Sequence, residues 1–268
     1  KCHNCGASMS LSNFLKTLDP VLHKQYVFER FKQGKTGRST TVEEPTFKFE
    51  APKFKQKLGL QKATEDAASH GYLTGRQLDA TKFFYTNKFK QYVNSKKQTF
   101  EDTKYDEPRI IIPLFYNKNL IGIQGRSLDF NNPKSVKYIT VMFDDDAPKL
   151  YGLDDVQKDK TVYVTEGPFD STFVRNAIAM CGADADVGRW GIVDPVYVYD
   201  NEPRNREILS RVERSIANGE RVVIWPSNIT EKDINDMVLS GLDVQSVIES
   251  NTYSGLEAKL KFTTWKKI

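Results

Sequence analysis

Cysteine is scarce, with three residues in 268. That excludes a disulfide-stapled scaffold and suits a reducing compartment. No uninterrupted apolar run is long enough to span a bilayer, and no stretch has the layout of a secretory signal, so no membrane partner is expected. The sequence also lacks a G-x-x-x-x-G-K-S/T loop, which excludes an ATP-driven P-loop motor. Charge of one sign is in short supply too. Thirty-nine Lys and Arg face 35 Asp and Glu, for a formal charge of +4, which permits contact with nucleic acid without demanding it. What is plentiful is core-forming material: 39% hydrophobic residues, with aromatics at 12%, over a length that suits one large domain or two modest ones.

The chain begins at Lys1, read here as a trimmed end, and runs straight into "KCHNCG". Cys2 and Cys5 have the two-residue gap with which one tight turn offers two thiolates to a zinc ion. Four ligands are normal, and His3 and His23 are poorly placed to complete the set. The pair reads either as two unrelated cysteines or as half of a zinc ribbon. A helical pair is expected next, with Asp19 and Pro20 starting its second helix. From "GKTGRSTTVEEP" to "KFEAPKFKQK", Gly34, Gly37, Pro45 and Pro52 interrupt any periodicity, as in an extended linker.

"TEDAASHGYLTGRQLDATKFFYT" reads as two short helices, the first stopped by Gly71 and the second capped by Thr74. "EPRIIIPLFYNKNLIGIQGRSL" reads as a hairpin turning at 117–119, and "VKYITVM" as a further strand. Arg109, Arg126 and Lys137 fall near strand ends and are expected to form one basic face.

After Asp159 the pattern becomes strand–helix alternation: "TVYVTEG", a helix over "DSTFVRNAIAM", "PVYVYD", "NREILSRVERSIANG", "RVVIWP" and "EKDINDMVLSG". Short apolar strands alternating with helices predict a parallel sheet with crossover helices, whose functional loops gather at the carboxyl ends of the strands. Glu166, Asp200 with Glu202, and Asp233 each fall just past a strand end, so all are expected on one rim, with Asp236 beyond them. Crowded carboxylates call for a compensating charge, and a hard cation such as magnesium takes oxygen ligands beside phosphates. Metal-dependent phosphoryl or nucleotidyl transfer is the favoured chemistry, with a receiver or nucleotide-binding domain of similar layout as the alternative. A strand-attacking tyrosine is not expected, because Tyr163, Tyr197 and Tyr199 lie in apolar strands.

The ordered set "EG…DNE…KDIND" resembles the Toprim signature. Together with "CHNC", "KYITV", "KLYGLDDV", "VYVTEGPFDSTF", "VYDNEPRN", "GERVVIW" and "SGLEAKLKF", it makes nearly the whole chain resemble the DNA primases of T4-like bacteriophages. The resemblance implies an α/β fold. A Toprim domain with a parallel sheet and flanking helices (156–242) follows a smaller mixed α+β subdomain of an RNA polymerase core (58–155). Before them come a partial zinc ribbon with helices (1–31) and a linker (32–57), and a helical segment (243–268) closes the chain. It further implies synthesis of short RNA primers on single-stranded DNA for lagging-strand replication in the cytoplasm of an infected bacterium. Glu166, Asp200, Glu202 and Asp233 would be catalytic and would hold Mg2+ or Mn2+, with Asp236 a further ligand. The pair Asp200 and Glu202 differs from the commoner Asp-x-Asp by one methylene. Arg109, Arg126, Lys137 and Lys149 would hold template and nucleotide phosphates, and Cys2 and Cys5 would hold Zn2+ with a second cysteine pair upstream. The implied partners are template DNA, ribonucleoside triphosphates, a hexameric replicative helicase and a single-stranded-DNA-binding protein. A Toprim nuclease and a non-catalytic adaptor binding DNA and helicase remain as alternative readings.

Overall fold

The computed structural model describes residues 9–34, 57–129, 131–182 and 186–267, and the chain divides into two compact units, Lys1–Glu50 and Ala51–Ile268. In the first unit, helices α1 (Leu11–Leu18) and α2 (Pro20–Lys32) form a hairpin. Ser10 caps α1, and Asp19 caps α2 by accepting from the Val21 and Leu22 amides, with Pro20 supplying the fixed φ of a first helical turn. Cys2 and Cys5 lie outside the described residues.

The second unit contains two sheets. The first is antiparallel, in the order β1 (Gln61–Lys62), β2 (Phe84–Thr86), β3 (Arg109–Tyr116), β4 (Asn119–Ser127) and β5 (Tyr138–Met142). The β3–β4 hairpin turns on Asn117 and Lys118, both at positive φ, the conformation a tight two-residue turn requires. Helix α3 (Ala67–Gly75) runs through Gly71, so the two helices expected there are one; Asp66 caps its start and Thr74 sits in its last turn. Helix α4 (Phe89–Lys96) lays Phe89 and Val93 over the sheet.

The second sheet has six strands in the order β11 (Thr252–Tyr253), β10 (Arg221–Val223), β9 (Asp194–Val198), β7 (Thr161–Thr165), β8 (Ala177–Met180) and β6 (Leu150–Tyr151). Its four central strands are parallel and its two edge strands antiparallel. Helices α6 (Arg206–Ala217), α7 (Ile234–Leu239), α8 (Val244–Ser250) and α9 (Gly255–Trp265) contribute to the core around Val164, Val198, Val222, Met237, Ile248 and Phe262. The helix expected over "DSTFVRNAIAM" is corrected: only one turn forms, α5 (Pro168–Ser171), and Ala177–Met180 is strand β8. Ser171 and Thr172 turn their hydroxyls back onto the carbonyls of Pro168 and Phe169, the local bonding that competes with helix propagation. Asn176 then takes a positive φ and bridges the carbonyls of Gln157 and Thr161, launching β8 beside β7. Among the described residues, no helix is long and apolar enough to cross a membrane.

Two expected phosphate ligands belong to this framework instead. Arg109 is fully buried, donates to the carbonyls of Gly125 and Val136 and pairs with Glu107. Its guanidinium also lies 5.1 Å from the centre of the Phe89 ring. A Cβ on Gly125 would fall 2.5 Å from Phe89 Cε2 and 2.9 Å from Arg109 Cδ, so glycine is required where Arg109 threads the sheet. Arg126 is likewise buried, its guanidinium 5.4 Å from the Tyr72 ring centre and 4.9 Å from that of Tyr138. A cation enclosed this way is not available to a ligand. Replacing Arg109 by leucine leaves Glu107 and two carbonyls without their donor and is expected to cost about 3 kcal/mol. Urea unfolding measures it, and an unchanged midpoint rules the structural role out.

Candidate active site

Glu166 and Asp200 reach their positions because each follows closely on a strand of the second sheet; Asp233, expected just past a strand end, lies instead ten residues beyond β10, at the start of α7. β7 and β9 are hydrogen-bonded neighbours, so Glu166, just past β7, comes close to Asp200, just past β9. Thr165 anchors the first turn, with Oγ1 3.1 Å from the Gly167 carbonyl and 3.2 Å from that of Ile178. A Cβ at 167 would sit 3.0 Å from Asp170 Oδ2, so a larger residue there presses on that carboxylate. After β9 the alternation stops: the Glu202 amide donates to the Asp200 carbonyl at 2.8 Å. A turn, not a continued pleat, therefore sets Asp200 and Glu202. Asp233 caps α7, accepting from the Asp236 amide at 2.8 Å.

Glu166, Asp170, Asp200, Glu202 and Asp233 line a single cleft of about 510 Å³ together with Arg76, Lys137 and Lys149. Asp236 is not in this lining; it lies in the first turn of α7, where a carboxylate complements the helix dipole. Of the four expected phosphate ligands, Lys137 and Lys149 reach the cleft, whereas Arg109 and Arg126 do not. A Cβ on Gly182 would fall 2.8 Å from Lys149 Nζ.

Asp170 and Arg76 are two of the cleft residues that local sequence patterning does not place; Glu207 and Arg211 of α6 are others. In the sequence Asp170 reads only as a helix start, although its spacing of four from Glu166 is visible in "EGPFD"; its Oδ1 accepts from the Asn235 amide at 3.1 Å. Arg76 carries no motif at all. It enters because the buried Asn235 holds it at both ends, accepting from its guanidinium and donating to its carbonyl at 2.8 Å. Only tertiary contact brings residues 159 positions apart together in this way.

The electrostatics are those of carboxylates pressed together. Burial, then the charge of Asp200, raises Glu166 to about 7 against the weaker pull of Arg211. Burial, then Asp233 and Asp200, raises Asp170 to about 8. Burial, then Asp233, raises Asp200 to about 6. Across the cleft lining, burial followed by the nearby Arg126 and Arg76 cations pushes the Lys137 ammonium below its ordinary value. Glu202 is held by Lys232 at 3.1 Å. Glu166 Oε2 lies 3.8 Å from the Arg211 guanidinium, while its Oε1 is buried with no hydrogen-bond partner among the described residues.

An orphaned carboxylate oxygen beside mutually repelling acids is a donor set that fits a hard divalent cation. Among the described residues, no three His, Cys, Asp or Glu side chains converge into a closed ligand shell. Magnesium-type sites are commonly held by one or two carboxylates, with water and substrate oxygens completing them.

This pairing of sheets around an acid-lined cleft is the fold of a primase catalytic core. The DnaG catalytic core superposes with a TM-score of 0.55 at 18% identity, covering 76% of this chain and 79% of that one. The RNA polymerase domain of Mycobacterium tuberculosis primase DnaG, in complex with a double-stranded DNA oligomer with a 6-nucleotide overhang, gives 0.54 at 17%, covering 73% and 77%. No protein-family model matches the chain. In sequence it is 34% identical over 287 aligned positions to the DNA primase of Enterobacteria phage T4, an alignment spanning 100% of this chain and 81% of that protein. The chain therefore belongs to the DNA primase family, nucleotidyltransferases that synthesise RNA primers.

Raised carboxyl values have a thermodynamic consequence. Between pH 4 and about 8 the folded protein keeps protons that the unfolded chain has released, so metal-free stability must fall as pH rises through that window. Magnesium should restore stability at pH 8 and do little at pH 5. Thermal melts in chelator and in magnesium measure both effects; a metal-free protein equally stable at both pH values contradicts the assignment.

Proposed function

We propose that this cleft joins ribonucleotides into short primers on a single-stranded DNA template. The observation that carries the reading is that Glu166, Asp200, Glu202 and Asp233 share one lining with Arg76, Lys137 and Lys149, acids for a cation and bases for the phosphates it neutralises. The six-stranded part of the chain is the Toprim domain on this reading, and the antiparallel part is the amino-terminal half of the polymerase core. Glu166, Asp200, Glu202 and Asp233 would hold Mg2+ or Mn2+, and Asp170, the most strongly raised of the acids, stands behind them. Bound there, the cation supplies charge stabilisation to the transferring phosphoryl group and acidifies the attacking hydroxyl.

The protein's own contribution is positioning. Arg76, fixed by Asn235, presents a rigid guanidinium, the geometry suited to bidentate phosphate contact. Lys137, just before β5 of the antiparallel sheet, and Lys149, just before β6 of the six-stranded sheet, bring point charges to the cleft from both sheets. The cationic crowding at Lys137 favours a polyanion in the cleft, because a triphosphate relieves the repulsion. Template DNA is supported as a partner by the Mycobacterium tuberculosis relative, which was solved with an overhanging DNA oligomer. We extend the reading to a replicative helicase and a single-stranded-DNA-binding protein as partners, and to Cys2 and Cys5 as two zinc ligands of a ribbon.

Converting Asp200 to asparagine should lower primer yield by at least about 100-fold, since several kcal/mol of charge stabilisation depend on the carboxylate. The same change removes a repelling charge and should raise the metal-free melting temperature at pH 8. Extension assays on single-stranded DNA with ribonucleotides and magnesium check the first, and wild-type yield rejects the assignment. Neutralising Lys137 or Lys149 should weaken nucleotide binding; where the lysine follows the template, the salt slope should also fall by about one phosphate contact. Binding and activity unchanged over a salt series would remove that lysine from the site.

A further inference from the structure

Asn201 stands between two of the acids, and its side-chain hydrogen bonds run to Ile229, Glu231 and Trp265, none of which lines the cleft. Its backbone amide donates to the Lys232 carbonyl at 2.7 Å. Its Nδ2 donates to the carbonyls of Ile229 and Glu231, both at 3.0 Å. Its Oδ1 accepts from the Trp265 indole Nε1 at 3.1 Å. Segment 229–232 leads directly into Asp233. One amide therefore binds the turn carrying Asp200 and Glu202 to the segment carrying Asp233, and both to the end of α9.

The chemistry at each end suits an amide and no other side chain of its size. Two carbonyls require two donors, and an indole N–H requires an acceptor. Trp265 is only 9% exposed, packs at 6.2 Å from the Phe262 ring centre, and is followed by a Lys267 amide bonded to the Pro203 carbonyl at 2.9 Å. The C-terminal helix thus grips the acid-bearing turn on both sides of Glu202.

We infer that Asn201 is a positioning residue of the acidic centre, anchored by the Trp265 indole, so that the C-terminal helix sets the spacing of Asp200 and Glu202 from Asp233. The inference rests on the reading of those carboxylates as the cation-binding centre. The physical need is plain: like charges that repel will drift apart unless their backbones are tied from outside. Partners that orient metal-binding side chains are typically worth about 10- to 100-fold in affinity or activity.

The test is a double-mutant cycle on the full chain with Asn201→Ala and Trp265→Phe, using Asp200→Asn as reference. Two quantities are read: kcat and KM for primer synthesis, and the Mn2+ concentration giving half of the metal-induced rise in melting temperature. Asn201→Ala should lower kcat and raise the Mn2+ midpoint, each by about 10- to 100-fold, with KM for ribonucleotides little changed. Trp265→Phe keeps a six-membered aromatic ring and removes the N–H donor together with the five-membered ring that carries it, so about a fivefold change in the same direction is expected. The double variant should be no worse than Asn201→Ala, because the indole N–H acts only through the amide that Asn201→Ala already removes. Additive losses, or an unmoved Mn2+ midpoint in both single variants, overturn the inference. Should Asn201→Ala fail to fold, the midpoint of Trp265→Phe decides alone. Full primer yield from Asp200→Asn would overturn the inference together with the reading beneath it, whereas an inactive Asp200→Asn beside an unaffected Asn201→Ala overturns the inference only.

Discussion

Carboxylates repel, and this structure gathers six of them into one cleft: Glu166, Asp170, Asp200, Glu202, Glu207 and Asp233. Much else in the second sheet answers to that constraint. The acids that are buried hold their protons to unusually high pH, and Glu166 keeps one oxygen with nothing to bond. An arrangement that is unfavourable by itself becomes favourable when a divalent cation and a polyphosphate enter together, so the unfavourable charge is a preorganised demand for the ligands of nucleotidyl transfer.

Beside the ion pairs of Lys232 with Glu202 and Arg211 with Glu166, neutral groups hold the backbone of this set in place. Thr165 fixes the turn after β7. Asn201 ties the turn after β9 to the approach to α7, and Asn235 joins Asp170 to Arg76. Asp233 does double duty, capping α7 through one oxygen while lining the cleft. These bonds come from amides and hydroxyls, which add no charge to a site that already carries too much of one sign.

The cations divide into two populations for the same reason. Lys137, Lys149 and Arg76 face the cleft, where a phosphate can meet them. Arg109 and Arg126 point into the antiparallel sheet instead, one bonded to Glu107 and two carbonyls, the other between tyrosine rings. Arg109 lies opposite Ser127 and Arg126 opposite Ile110, so the two arginines leave the hairpin on opposite faces, and each is enclosed there by its own aromatic neighbours.

Local patterning by itself determined the β3–β4 hairpin, the cap at Asp19, the alternation of strands and helices after Asp159, and the placement of Glu166 and Asp200 just past strand ends. Those features depend on residues close in the chain: turn formers, capping side chains and short apolar runs. The run Ala177–Met180 was misread as helix because four apolar residues fit a buried strand as well as a helix, and pairing with β7 decided it. Burial of Arg109 and Arg126, recruitment of Arg76, the turn that breaks alternation between Asp200 and Glu202, and the bond from Trp265 to Asn201 were decided only by tertiary structure. Each depends on partners far away in the chain: 159 positions separate Arg76 from Asn235, and 64 separate Asn201 from Trp265. No local periodicity encodes such a distance; it is set when the sheets and helices pack and every buried polar group must find a partner.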